Sequence, residues 1–334
     1  MQKKVIFKVH ASFEIGFGHI RRCISLANVC SKFIPKENIL FYCECPSNVI
    51  SEIIKPYPFI IFENNYQTIL NYIKKNNVDV LVLDELRDNL DFCSDIKLNN
   101  PNIKIIALDY FNYENKSVDI IINLFNHNRK IQNPENEISG KYYQGLDYAI
   151  IDEGFNKYIE INKAININVE QILVTFGGSD INCYTIKVLE LLRNVNYSNR
   201  LEIIIGPFFK KREELMKKLD KMDIHYKTFD NILNIQRHII EADLGFIGCG
   251  TTLLEFCSLG TPAIIMPQNK REYYFAKFFQ SQEAAFIFEK HKKDYVQLNN
   301  IINDKYQREK ISQRSKKLVD GKGTQRITDV ILSA

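Results

Sequence analysis

The stretch ADLGFIGCGTTLLEF, Ala242 to Phe256, runs from an apolar segment through three small residues into a segment of helical period. A short apolar run of this kind reads as a strand buried on both faces, here handing over to a helix. Glycines let the backbone approach a ligand closely, and a helix start offers unpaired N–H groups and the positive end of a dipole. The turn is therefore a candidate anion site. Thr251 and Thr252 can cap the helix or bond phosphate oxygens, with Gly250 before them. Glu255, one turn further on the same face, can accept from both hydroxyls of a ribose diol. Thr followed by Glu is also a plain capping pattern, so these residues alone leave both readings open.

The same layout occurs twice more. EIGFGHIRR, with Gly16, Gly18 and His19, follows the apolar run VIF, and TFGGSD (Thr175 to Asp180), with Gly177 and Gly178, follows QILV. Further runs rich in Ile and Val include NILFYCE, VDVLVLD, IKIIALD, VDIIIN, LEIIIG and PAIIMP, most of them separated by amphipathic stretches of helical period. That alternation predicts a parallel α/β fold. The rhythm breaks between about Asn126 and Asn168, where the chain turns polar and Asn-rich, and resumes at Gln171. Two α/β domains are expected, 1–155 and 156–334, with the closing helices around QRITDVIL packing back on the first. In open α/β sheets ligands bind at the carboxyl ends of strands, so three glycine loops there predict a cleft that holds phosphate from both sides.

The 334 residues, 45% hydrophobic and 25% charged with a net charge of +4, describe an ordinary globular protein. Basic and acidic residues are interleaved without a basic stripe, which argues against nucleic acid as a partner. No signal peptide and no membrane span are expected, and the reading is a cytoplasmic protein. The eight cysteines are scattered, most within apolar segments, as reduced core thiols would be. Cys249, inside the glycine turn, is expected to gain thiolate character from the anion site. Sequence says nothing of oligomeric state.

His19 follows two glycines at a helix start. A helix dipole there disfavours imidazolium, so the ring is expected to stay neutral and accept a proton, as a general base for a hydroxyl or water attacking the anomeric carbon of a bound nucleotide sugar. Arg21 occupies the third glycine position of a dinucleotide fingerprint, and no glycine loop carries the Lys-Ser/Thr pair of a nucleoside triphosphatase. No two aspartates lie two residues apart, so an Asp-x-Asp metal site is missing. A site without metal or cofactor is inferred, with helix N-termini neutralising a diphosphate.

EIGFGHIRRC, LDYAIIDEGF, TFGGSD, ADLGFIGCGTTLLEFCSLGTPAII with Asn269, and VDGKGTQRI fall in the order and approximate spacing of one family. They resemble the nucleotide-sugar hydrolases of pseudaminic acid biosynthesis and their spore-coat polysaccharide relatives, of the glycosyltransferase-B superfamily that also holds the lipid II N-acetylglucosaminyltransferase. The resemblance implies two Rossmann-like domains with parallel sheets facing across a cleft, and a UDP-sugar substrate. It implies a metal-independent hydrolase that releases UDP from a 2,4-diacetamido-2,4,6-trideoxy hexose by water attack. On that pattern His19 is catalytic and Gly16 and Gly18 form its loop. Gly250, Thr251 and Thr252 contact phosphate, Glu255 binds ribose and Asn269 contacts substrate. Asp84 and Asp109, which close strands of the first domain, also align. Lys8 and His10 stand where the family carries Arg-x-Asp, Glu85 and Leu86 where His and Tyr are common, Asp152 where Arg is common, and Lys270 where Gln usually follows the Asn. Two other readings stand beside the hydrolase: a lipid II-type glycosyltransferase with the same donor chemistry, and a non-catalytic nucleotide-sugar binding protein.

Overall fold

The computed structural model describes residues 2–10, 18–44, 54–61, 67–85, 90–110, 115–124, 140–230, 232, 234–289 and 292–334. Gly16 and Leu86 lie outside them. The chain divides into two compact units, Met1–Asp152 with Lys322–Ala334, and Glu153–Gly321.

Among its described residues the first unit holds a seven-stranded sheet, parallel throughout, in the order β3-β2-β1-β4-β5-β6-β7. The strands are β1 (Val5–His10), β2 (Ile39–Glu44), β3 (Phe59–Ile61), β4 (Val80–Asp84), β5 (Lys104–Leu108), β6 (Ile120–Asn123) and β7 (Lys141–Gln144). Helices α1 (Gly18–Cys30), α2 (Gln67–Asn76) and α3 (Leu90–Asn99) connect them. All five residues of β4, VLVLD, are buried, as a central parallel strand covered on both faces requires. Burying each Val or Leu there contributes about 1.5–3 kcal/mol. Edge strand β7, KYYQ, is half-exposed and lies inside the polar segment that reads as a linker.

The second unit repeats the plan with β8 (Gln171–Thr175), β9 (Arg200–Ile205), β10 (His225–Asp230), β11 (Leu244–Ile247), β12 (Ala263–Ile265) and β13 (Phe286–Ile287), parallel in the order β10-β9-β8-β11-β12-β13. Among its helices are α4 (Tyr184–Asn194), α5 (Arg212–Leu219), α6 (Gln236–Glu241), α7 (Thr251–Leu259), α8 (Lys270–Ser281), α9 (Lys292–Asn303) and α10 (Lys305–Leu318). Buried Arg308 braces this unit, donating to the carbonyls of Ile301 and Ile302 at the end of α9 and of Asn166 and Ile167 before β8.

The last helix, α11 (Gly323–Ser333), belongs to the first unit, where it packs on α1. Thr324 Oγ1 accepts from Ile151 N at 2.9 Å and donates to Ile151 O at 2.6 Å. A Cβ on Gly323 would stand 2.3 Å from Ala149 O, so only glycine permits this approach. The GKGTQR stretch thus fastens the C-terminal helix to the segment that closes the first unit.

Candidate active site

In both units the strand order reverses between the first and fourth strands, at β1/β4 and at β8/β11. Beyond the carboxyl ends of such strands lies the ligand crevice of a doubly wound sheet. The glycine loops found in the sequence follow β1, β8 and β11.

In the first unit α1 begins at Gly18, so His19 lies in its first turn. Strand alternation sorts the two neighbouring carboxylates at the end of β4. Glu85 shares the face of Leu81 and Leu83, which pack with Ile6 against α2 and α3. Asp84 points to the other face and meets α1. Its carboxylate is fully buried, with Oδ1 2.6 Å from His19 Nδ1 and Oδ2 accepting from Arg22 Nε at 2.5 Å. Arg22 Nη2 also donates to Oδ1, and the Cys23 thiol lies 3.3 Å from Oδ2. The same guanidinium reaches Asp109, with Nη1 2.5 Å from Oδ2. Asp109 closes β5 with φ +50°, a left-handed conformation that Asp tolerates better than most residues.

Burial alone would raise the Asp84 carboxyl; the charges and hydrogen bonds of Arg22 and His19 outweigh it and hold it well below the usual carboxylate range. Burial likewise opposes the Arg22 charge, and the two carboxylates more than restore it. A carboxylate at Nδ1 favours the tautomer with its hydrogen there, which leaves Nε2 as the proton acceptor. Pairing with the Asp84 carboxylate therefore orients the imidazole.

Lys8 and Glu85 form a buried ion pair on the α2/α3 face, with Lys8 Nζ 4.9 Å from the centroid of Phe92. The structure does not bring Lys8 to His19. His10, the buried last residue of β1, shares the strand face of Lys8. Asp152 accepts from Ser25 Oγ of α1 at 3.2 Å.

In the second unit the starts of α4, α7 and α8, beyond β8, β11 and β12, differ. The Asp180 carboxylate accepts from Tyr184 N and Thr185 N at 2.7 and 2.9 Å, so the amides opening α4 are already taken. Gly177, at φ +74°, and Gly178 pack their carbonyls against Gly206, where a Cβ would fall 2.1 Å from Gly177 O. Asn269 Oδ1 caps α8 by accepting from Glu272 N at 2.9 Å. Helix α7 instead starts from Gly250 with no side-chain cap. Thr251 and Thr252 are the first helical residues and do not cap it, so the plain capping reading is not what forms. Both are half-buried, as is Glu255 on the next turn, and a Cβ on Gly250 would meet nothing within 4 Å.

Glu272 binds this turn to the next. Its Oε2 accepts from Cys249 N at 3.3 Å and Gln268 N at 2.9 Å, and its Oε1 from Asn269 Nδ2 at 3.3 Å. Burial pushes this carboxyl up, against the bonds it accepts. The Cys249 thiol is buried, and burial, with Glu272 second, pushes it well above the ordinary thiol value. The expected thiolate character of Cys249 is thus reversed, because desolvation outweighs any helix-start effect.

Arg22 and Glu272 escaped the reading of the sequence. The signals present were spacings: His19-x-x-Arg22 on one helix face, and Asn269-x-x-Glu272 as a capping pair.

Residues 171–330 match the glycosyltransferase family 28 C-terminal domain. An uncharacterized protein of Methanocaldococcus jannaschii is 32% identical over 283 residues, 81% of this chain, and the chain spans only 57% of that relative's length. Spore coat polysaccharide biosynthesis protein SpsG of Bacillus subtilis is 24% identical over 96% of this chain and 95% of its own. A UDP-2,4-diacetamido-2,4,6-trideoxy-beta-L-altropyranose hydrolase of Campylobacter jejuni is 24% identical over 86% of this chain and 97% of its own. Among solved structures, Acinetobacter baumannii MurG superimposes with a TM-score of 0.70 at 14% identity over 99% of this chain and 100% of MurG. Phytolacca americana UGT2, solved with UDP-2fluoro-glucose and pterostilbene, gives 0.66 at 11% identity over the full length of both. The chain has the glycosyltransferase-B fold seen in these solved structures, and its residues 171–330 match the family 28 C-terminal domain.

Proposed function

We propose that this chain is an enzyme of surface polysaccharide biosynthesis acting on a UDP-sugar, and specifically a metal-independent hydrolase that releases UDP from a 2,4-diacetamido-2,4,6-trideoxy hexose. The observation that carries the reading is the buried Asp84 carboxylate on His19 Nδ1, at the first turn of α1 beyond the reversing strands of the first unit. His19 Nε2 takes the proton of a water whose oxygen bonds to the anomeric carbon. The bond from that carbon to the diphosphate breaks, and its electron pair leaves with UDP. A positioned base of this kind contributes about 10²–10⁴-fold. The diphosphate is assigned to the uncapped start of α7, with Gly250, Thr251 and Thr252 at its oxygens and Glu255 on the ribose. This open start contrasts with the occupied starts of α4 and α8. The fold it shares with UDP-sugar enzymes and the SpsG and hydrolase relatives support the substrate class.

A second reading is a glycosyltransferase that delivers the sugar to a hydroxyl acceptor; the family 28 domain and the MurG fold favour it. The two differ in what His19 deprotonates. UDP release from a panel of UDP-sugars in EDTA with no acceptor separates them: free sugar equal to UDP supports hydrolysis, and release only on adding an acceptor supports transfer.

A further inference from the structure

The base does not sit on an isolated carboxylate. Arg22, one turn along α1 from His19, puts Nε and Nη2 on the two oxygens of Asp84 and Nη1 on Asp109, and its Nη2 lies 3.2 Å from His19 Nδ1. All of these side chains are at least 86% buried, with His19 at 14% exposure and Arg22 at 10%. Asp109 is held in the left-handed region at the end of β5 with its carboxylate on Arg22.

We propose that Arg22 is the positioning residue of this centre, holding Asp84 and Asp109 together and sharing the Asp84 carboxylate so that His19 Nε2 is left as a proton acceptor. This rests on the reading of His19 as the base. A buried carboxylate on the imidazole, with a second one across Arg22, would favour imidazolium, whose Nε2 already carries a hydrogen and cannot act as a base. A planar guanidinium forked between them removes much of that pull and fixes both carboxylates in place.

Among the described residues, the other charged groups on α1 and on the elements packed against it are these. From β1, Lys8 pairs with Glu85, and His10 lies on the same strand face as Lys8. From α11, Arg326 donates to Asp147 O and Asp329 accepts from Gln325. Asp152 accepts from Ser25 of α1 itself. Arg21, beside Arg22, is exposed.

The test needs no substrate. Nitrogen-15 histidine NMR of the free protein, with the His19 signal assigned by its loss in His19→Asn, follows Nε2 protonation against pH in four proteins. In Arg22→Gln the midpoint moves up relative to the parent by about one pH unit, a tenfold fall in the ratio of neutral to protonated ring at a given pH. In Arg22→Lys, which keeps the charge, it returns most of the way. In Asp109→Asn, which removes one negative charge and leaves Arg22 to Asp84 alone, it moves down. An unmoved midpoint in both Arg22→Gln and Asp109→Asn overturns the proposal, as does a shift of the opposite sign. Turnover is measured separately: a fully active His19→Asn overturns the base reading itself, whatever the NMR shows of Arg22.

Discussion

His19 and Asp84 stand 65 residues apart in the chain and 2.6 Å apart in space. The contact joins the first turn of α1 to the last residue of β4 across the point where the sheet reverses its order. Asp84→Asn removes the charge and keeps the shape. Turnover is expected to fall by about 10²–10⁴-fold with UDP affinity unchanged, measured by UDP release and by calorimetry.

The same substitution carries a stability signature. Asp84 has a folded pKa below its unfolded one, so its stabilisation is fully present above the ordinary carboxylate range and is lost as pH falls through the lowered folded value. The gap in Tm between the parent and Asp84→Asn should be flat from about pH 8 to 6 and narrow below about pH 4. At neutral pH Asp84→Asn leaves Arg22 with Asp109 as its remaining carboxylate and should lower the stability read from urea unfolding.

Gly250 and Asp180 separate a ligand site from a structural cap. Gly250→Ala adds a methyl that meets no protein atom within 4 Å, so the fold should tolerate it with a loss under about 1 kcal/mol. UDP affinity should nevertheless drop about tenfold or more, some 1.4 kcal/mol, because the methyl stands where the diphosphate is placed. Asp180→Ala should do the reverse, destabilising by about 0.5–2 kcal/mol through the lost cap on α4 while UDP binds as before.

Lys8 and Glu85 replace residue types that the resembled family carries at those places, and the structure pairs them with each other. In a double-mutant cycle, Lys8→Met and Glu85→Gln should each cost about 3–5 kcal/mol, and the double variant should recover most of that sum. Additive losses in urea unfolding would contradict the pairing.

Thiol reactivity follows burial. Among the described cysteines Cys183 is half-exposed and the others are buried, so iodoacetamide should modify Cys183 first and Cys249 slowly, as peptide mapping by mass spectrometry would show.

The α/β plan was legible where strands are buried on both faces, since the interiors of VLVLD, KIIAL and QILVT are continuous apolar runs. It was hidden at two of the sheet edges. KYYQ of β7 and HYKTFD of β10 hold no fully buried residue, carry several polar side chains and resemble loop sequence. At the site, His19, Asp84 and Asp109 were each marked by place, as a residue at a helix start or a strand end. Their union was not legible, because Arg22 finds its partners 62 and 87 residues downstream, a relation that only the strand order creates. The glycine loop TFGGSD looked like a phosphate cradle because glycines before a helix mark one. Asp180, within that loop, fills the amides itself.

The measurement that bears most directly on the account is UDP release by the parent and by His19→Asn from UDP-2,4-diacetamido-2,4,6-trideoxy hexose, in EDTA and without acceptor, alongside UDP affinity. The account predicts stoichiometric UDP and free sugar from the parent, and from His19→Asn a loss of at least about a hundredfold in turnover with unchanged UDP affinity. Undiminished release by His19→Asn, or a loss of UDP affinity that matches the loss of turnover, would contradict it.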